Sequence, residues 1–179
     1  MSKIDFIYQK VEKLIKKFGT RDPFKICDNL NIHIYYKELG DSLKAYFFYQ
    51  SRIKNIIINS NSEDVVCKIL CAHELGHAIL HENLAAMIGF KELALFDDLI
   101  PTEYEANLFA AELMIPDNDL LRMLKEENKS LFDISSELCV PVELLDFKLR
   151  VLKKKGLCLV PPCFATSDFL KKDITGRIL

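Results

Sequence analysis

The segment His73-Glu74-Leu75-Gly76-His77 restricts this chain more than any other stretch of it. Two histidines four residues apart on a helix lie one turn apart and about 40° round its axis, so both imidazoles can reach a single ion. Glu74 falls beside them. In that arrangement the histidines hold zinc, while the glutamate stays off the metal and serves as the base that deprotonates water and passes the proton to a leaving amine. With only 4 histidines in 179 residues, the spacing is specific, provided the segment is helical.

The surrounding sequence predicts that helix. Asn59 to Glu63 supplies capping residues, and Val65, Val66, Ile69, Leu70, Ala72, Ala78, Ile79 and Leu80 carry an apolar pattern to about Glu82, with the motif in its middle. Upstream, Ile4, Ile7, Val11, Leu14 and Phe18 recur at helical spacing and stop at Gly19; this amphipathic helix is read as packing. Asp22-Pro23 reads as the N-cap and first position of a short helix to about Leu30. Three strands are expected at Ile32 to Tyr36, Leu43 to Tyr49 and Lys54 to Asn59, the last two as an antiparallel hairpin feeding the motif helix. Residues 84 to 100 read as an irregular connection with the character of a lid. A second helix is expected from Thr102 to about Ile115, stopped by Pro116, with Asp117 capping a third. Segments at 134–138 and 142–152, broken at Val140-Pro141, form a pair like a helix-turn-helix.

These elements give an α+β class: a mainly helical, zincin-like domain over residues 1–155, a small sheet or hairpin before the motif helix, a helix-turn-helix-like pair at about 132–155, and a basic tail at 156–179. No repeat, low-complexity tract or apolar run of membrane-spanning length interrupts it, and no leader-like apolar stretch opens it, so the expected location is the cytoplasm. Six cysteines, at 27, 67, 71, 139, 158 and 163, are accordingly read as reduced thiols. Cys67 and Cys71 point away from His73 on the helix, and Cys158 and Cys163 bracket Leu-Val-Pro-Pro without the second pair a zinc knuckle needs. The formal charge is -2, with acidic residues gathered in 74–146 and basic ones in the tail, a balance that argues against direct DNA binding.

A catalytic zinc also needs a third protein ligand and an open position. Glu103 and Glu105 both stand at the start of the following helix, where small Ala106 and Ala110 permit close approach. Spacing alone leaves the two open, because Thr102 and Glu105 also fit a capping box. His81 lies about 12 Å beyond His73 along the axis, too far for all three histidines to share one ion, and is read as a supporting residue. Tyr104, Tyr46, Tyr49 and His81 are the candidate donors to a developing oxyanion.

His-Glu-Leu-Gly-His-Ala-Ile-Leu-His at 73–81 and Glu-Ala-Asn-Leu-Phe-Ala-Ala-Glu-Leu-Met-Ile-Pro at 105–116 resemble the ImmA/IrrE metallo-endopeptidases, relatives of the gluzincins. The resemblance runs over roughly residues 20–155, with weaker matches in the hairpin ending Ile56-Ile57-Ile58-Asn59 and at Val140 and Lys148-Leu149. It implies a metal set of His73, His77 and Glu105, with Glu103 as the alternative, catalytic Glu74, and about one zinc per chain. It further implies a protein substrate, namely a helix-turn-helix repressor of a mobile element or stress regulon. The competing expectation is a module on the same scaffold that binds a repressor or DNA without cutting.

Overall fold

The computed structural model describes residues 2–40, 43–82, 100–126, 129–158, 166 and 170. Its elements are α1 (Lys3–Phe18), α2 (Pro23–Asn29), β1 (Ile32–Lys37), β2 (Ala45–Gln50), β3 (Ile53–Asn59), α3 (Asp64–Leu80), α4 (Ile100–Met114), α5 (Asp117–Met123), α6 (Leu131–Glu137) and α7 (Val142–Lys154). The α+β class holds: helices predominate over one three-stranded sheet. No helix among the described residues is long and apolar enough to cross a membrane.

Helix boundaries follow the local chemistry. Ser2 and Asp5 form a reciprocal capping box at the start of α1, and Gly19 ends it at φ 66°, a left-handed conformation that glycine adopts without a Cβ clash. Asp22 caps α2 by accepting from the Phe24 amide at 2.9 Å, with Pro23 at the first turn. Two boundaries differ from expectation. Helix α4 begins at Ile100, with Pro101 in its first turn where no amide is needed, so Thr102 lies inside the helix and does not cap it. At α5 the N-cap is Pro116, which leaves Asp117 inside the first turn and its carboxylate free to pair with lysines of α7.

The sheet order is β1-β3-β2. Ser51 and Arg52, both at positive φ, make the tight turn between β2 and β3, which pair antiparallel from Ala45↔Ile58 to Gln50↔Ile53. Sequence periodicity did not reveal that β1 adds parallel on the far side of β3, from Ile32↔Lys54 to Lys37↔Asn59. The central position of β3 accounts for its unbroken buried run from Asn55 to Asn59. Ile56 and Ile58 point into the main core with Phe47, Ile69, Leu70, Leu75 and Phe109.

Helices α6 and α7 occupy the expected positions, but α7 is buried almost all round, from Val142 to Leu149 and again at Val151 and Leu152, against α4 and α1. A helix so enclosed contributes core, with no face left to lie in a DNA groove. The expected lid at 84–100 lies outside the described residues except for Ile100, as does most of the tail, including Cys163. Cys27, Cys67 and Cys71 are buried, whereas Cys139 and Cys158 are exposed.

Candidate metal centre

Helix α3 packs along α4 more extensively than along any other helix, and Gly76 sets the distance between them. A Cβ built on Gly76 would stand 3.2 Å from the Ala106 Cα and 3.3 Å from both the Ala106 carbonyl oxygen and the Phe109 Cβ. Only a glycine facing an alanine lets the two backbones come this close. The helices run antiparallel, since His73 meets Asn107 while His77 meets Glu103. Residues one turn apart on one helix therefore face residues one turn apart on the other.

Among the described residues, the ligand-type side chains that converge are His73, His77 and Glu103. The His73 and His77 Nε2 atoms are 3.1 Å apart; Glu103 Oε2 is 3.3 Å from the first and Glu103 Oε1 is 3.3 Å from the second. Ligands of a tetrahedral zinc at about 2.0–2.1 Å stand about 3.3 Å from one another, so these separations are those of a ligand shell. The outer nitrogens agree. His73 Nδ1 lies 2.9 Å from the Asn107 Oδ1, an acceptor that fixes the proton on Nδ1 and leaves Nε2 as a lone pair. Lone pairs and a carboxylate gathered this closely repel one another unless a cation lies among them. The residues present thus fit a divalent metal.

A proton on a histidine Nε2 can stand where the cation would. Burial pushes Glu103 up, but hydrogen bonds from His73 and His77 protonated in this way more than reverse this and hold its carboxyl well below the usual range. Burial alone would lower His73, yet the hydrogen bond and charge of Glu103, with the charge of Glu74 behind, raise it overall. At His77 burial prevails and, aided by the charge on His73, lowers it to about 4. A proton between His73 and Glu103 thus takes the place of one positive charge, and His77 resists a second. Glu74 is buried, with its carboxylate accepting the Phe47 amide hydrogen from β2; burial raises it to about 7, against the opposing pull of His73. A carboxyl poised near neutrality is suited to take and return a proton.

Glu105 was expected in the metal set and lies elsewhere. Its carboxylate is 3.2 Å from His81 Nε2 and 2.5 Å from Lys3 Nζ. The cause is angular: two residues on from Glu103, it projects about 200° round α4 from it. His81 lies outside the convergent set, and its Nδ1 is 3.1 Å from the His77 Nδ1. Sequence reading missed Asn107, although its place one turn after Glu103 was a usable signal, and it missed that α1 reaches this region through Lys3. Of the oxyanion candidates, Tyr104 packs on Phe147 of α7, with ring centroids 5.5 Å apart, and Tyr46 lies with Phe48 on the opposite face of β2 from Phe47. Tyr49 is on the core-facing side with Phe47.

Comparison with known proteins bears on this geometry. Residues 27–150 match the family model Peptidase_M78, described as the IrrE N-terminal-like domain. The chain is 37% identical over 138 residues to "Uncharacterized immunity region protein 2" of Bacillus phage phi105, covering 77% of this chain and 85% of that protein. It is 30% identical over 146 residues to "Metallopeptidase ImmA" of Bacillus subtilis (strain 168), covering 80% and 83% respectively. With the matched region enclosing the His73, His77 and Glu103 cluster and the elements from β1 to most of α7, the chain belongs to the ImmA/IrrE family of metallopeptidases.

Proposed function

We propose that this chain is a zinc-dependent endopeptidase, cytoplasmic and built on a single domain over residues 1–155, that hydrolyses a peptide bond in one specific protein partner. The observation that carries the reading is the convergence of His73 Nε2, His77 Nε2 and the Glu103 carboxylate within ligand distance of one point, with Glu74 beside them. In this account Glu103 replaces Glu105 as third ligand.

When bound, zinc supplies Lewis acidity, acidifying water and polarising the scissile carbonyl. The chain's own residues do the rest. Asn107 holds the His73 ring so that Nε2 faces the site. Glu103 contributes the anionic donor, and its negative charge offsets part of the metal's. Glu74 takes the proton of the attacking water and delivers it to the leaving nitrogen, a shuttle favoured by a carboxyl raised to about 7. The Phe47 amide that Glu74 accepts from keeps the carboxylate oriented before substrate arrives.

The substrate we propose is a helix-turn-helix repressor. One relative carries an immunity region in its name, and the resemblance to the ImmA/IrrE family implies a repressor as the partner that is cut. A non-catalytic module that merely binds a repressor would have no chemical use for a buried carboxyl beside a metal set. Incubation of the zinc-loaded chain with helix-turn-helix regulators encoded beside its gene tests the reading. Cleavage of one of them, abolished by a chelator and restored by zinc, is the expected result; cleavage indifferent to the chelator contradicts it.

A further inference from the structure

The site leaves one charged and titratable string of side chains unused. From the outside inward it runs Lys3 Nζ to Glu105 Oε1 at 2.5 Å, Glu105 Oε2 to His81 Nε2 at 3.2 Å, and His81 Nδ1 to His77 Nδ1 at 3.1 Å. It draws on α1, α4 and the residue that ends α3. Its polarity is fixed by elementary donor and acceptor rules. Glu105, a carboxylate paired with the Lys3 ammonium on one oxygen and with His81 on the other, can only accept. His81 must then carry its proton on Nε2, which makes its Nδ1 a lone pair. The His77 Nδ1 opposite must therefore be the donor, and the lone pair of His77 is left on Nε2, facing His73 and Glu103.

Resting on the proposed metal reading, we propose that Lys3, Glu105 and His81 form a positioning relay that locks His77 in the tautomer able to bind metal. Asn107 does the same for His73 in a single step, through a side-chain amide. Among the described residues His77 has no such neighbour and instead uses a second imidazole, which can accept from His77 only while Glu105 occupies its other nitrogen. The Lys3 end is 77% exposed, so it trims the charge of Glu105, while the tautomer itself is set by the two inner links, His81 at 11% and Glu105 at 17%. Removal of Glu105 lets His81 turn its proton to Nδ1, where it opposes the His77 proton and sets the two rings in conflict.

Two readouts besides activity decide this on the full chain. The first is the tautomeric state of each histidine in the zinc-loaded protein, from two-bond nitrogen–proton correlation spectra. The second is zinc affinity by chelator competition. Wild type is expected to show His81 protonated on Nε2 and His77 on Nδ1. Glu105→Ala is expected to give mixed His81 tautomers and to weaken zinc binding about tenfold. Glu105→Gln, whose amide oxygen still accepts, is expected to keep both tautomers and remain within about threefold of wild type, an outcome that separates a relay from direct ligation. His81 protonated on Nδ1 in wild type, unchanged affinity in Glu105→Ala, or an equal loss in Glu105→Gln and Glu105→Ala overturns the relay. If Glu105→Ala does not fold, the wild-type tautomers and the Gln variant still decide. Failure of the wild-type chain to bind zinc at all would remove the metal reading and the relay with it, whereas normal zinc binding with any of the three adverse results removes the relay alone.

Discussion

A helix turns about 100° per residue, so two glutamates separated by one position serve different neighbours. Glu103 meets His73 and His77, whereas Glu105 meets His81 and Lys3. The resemblance that selected Glu105 as ligand rested on the residue next to an alanine, and no periodicity along α4 could show which glutamate faces α3. Pairing two helices is a matter of rotation and register, which a single sequence does not record. By contrast the placement of His73, Glu74 and His77 together on one helix was legible, because their spacing lies within that helix and an apolar run marks it plainly. The proposed base is testable here. Glu74→Gln should leave zinc content unchanged and lower turnover by about 10²–10⁴-fold, measured on a cleavable regulator. A variant that cuts at the wild-type rate would take Glu74 out of the mechanism.

At the scale of elements, the site depends on how closely α3 approaches α4. Gly76 supplies the gap, and Gly76→Ala would press a methyl to 3.2 Å from the Ala106 backbone, where no flexible side-chain tip can yield. The expected outcome is a loss of about 1–3 kcal/mol in denaturant melts together with weaker zinc binding, since Glu103 rides on the displaced helix. Unchanged stability and affinity would show that the contact has slack. Most elements were readable from caps and periodicity, among them α1 with Gly19 as its stop and α2 with Asp22-Pro23. The parallel pairing of β1 with β3 was not, because an apolar, β-branched run such as Ile56-Ile57-Ile58 reads as a buried strand whichever neighbours flank it.

Across the whole molecule, α4 is held at both ends. Its first turns carry the site; its last turns carry Glu112, fully buried, which takes ion pairs from Lys148 at 2.7 Å and Lys155 at 2.8 Å. Asp117 of α5 pairs with the same two lysines, and Arg21 donates to the Glu112 carbonyl oxygen at 2.8 Å to satisfy the end of α4. Glu112→Ala, which would leave the fully buried Lys148 with Asp117 in place of two carboxylates, should cost about 3 kcal/mol in denaturant melts; a cost below about 1 kcal/mol would mean that Asp117 or water takes over the charge. Asp117 gives the pH dependence. Burial raises it, but its hydrogen bonds to Lys148 and Lys155 prevail, so its folded pKa lies below the ordinary value of 3.8. The stabilisation is then complete above 3.8 and is lost as pH falls through the lower, folded value. Asp117→Asn should therefore be less stable than wild type at pH 7 by roughly 1 kcal/mol, with the gap closing in acid below 3.8. A gap that persists unchanged in acid would assign the effect to packing. The central claim, a metallopeptidase centred on His73, His77 and Glu103, is met most directly by elemental analysis of the purified chain beside its Glu103→Ala variant. About one zinc per chain, lost in the variant, is the predicted result, and a variant that keeps its zinc would contradict it.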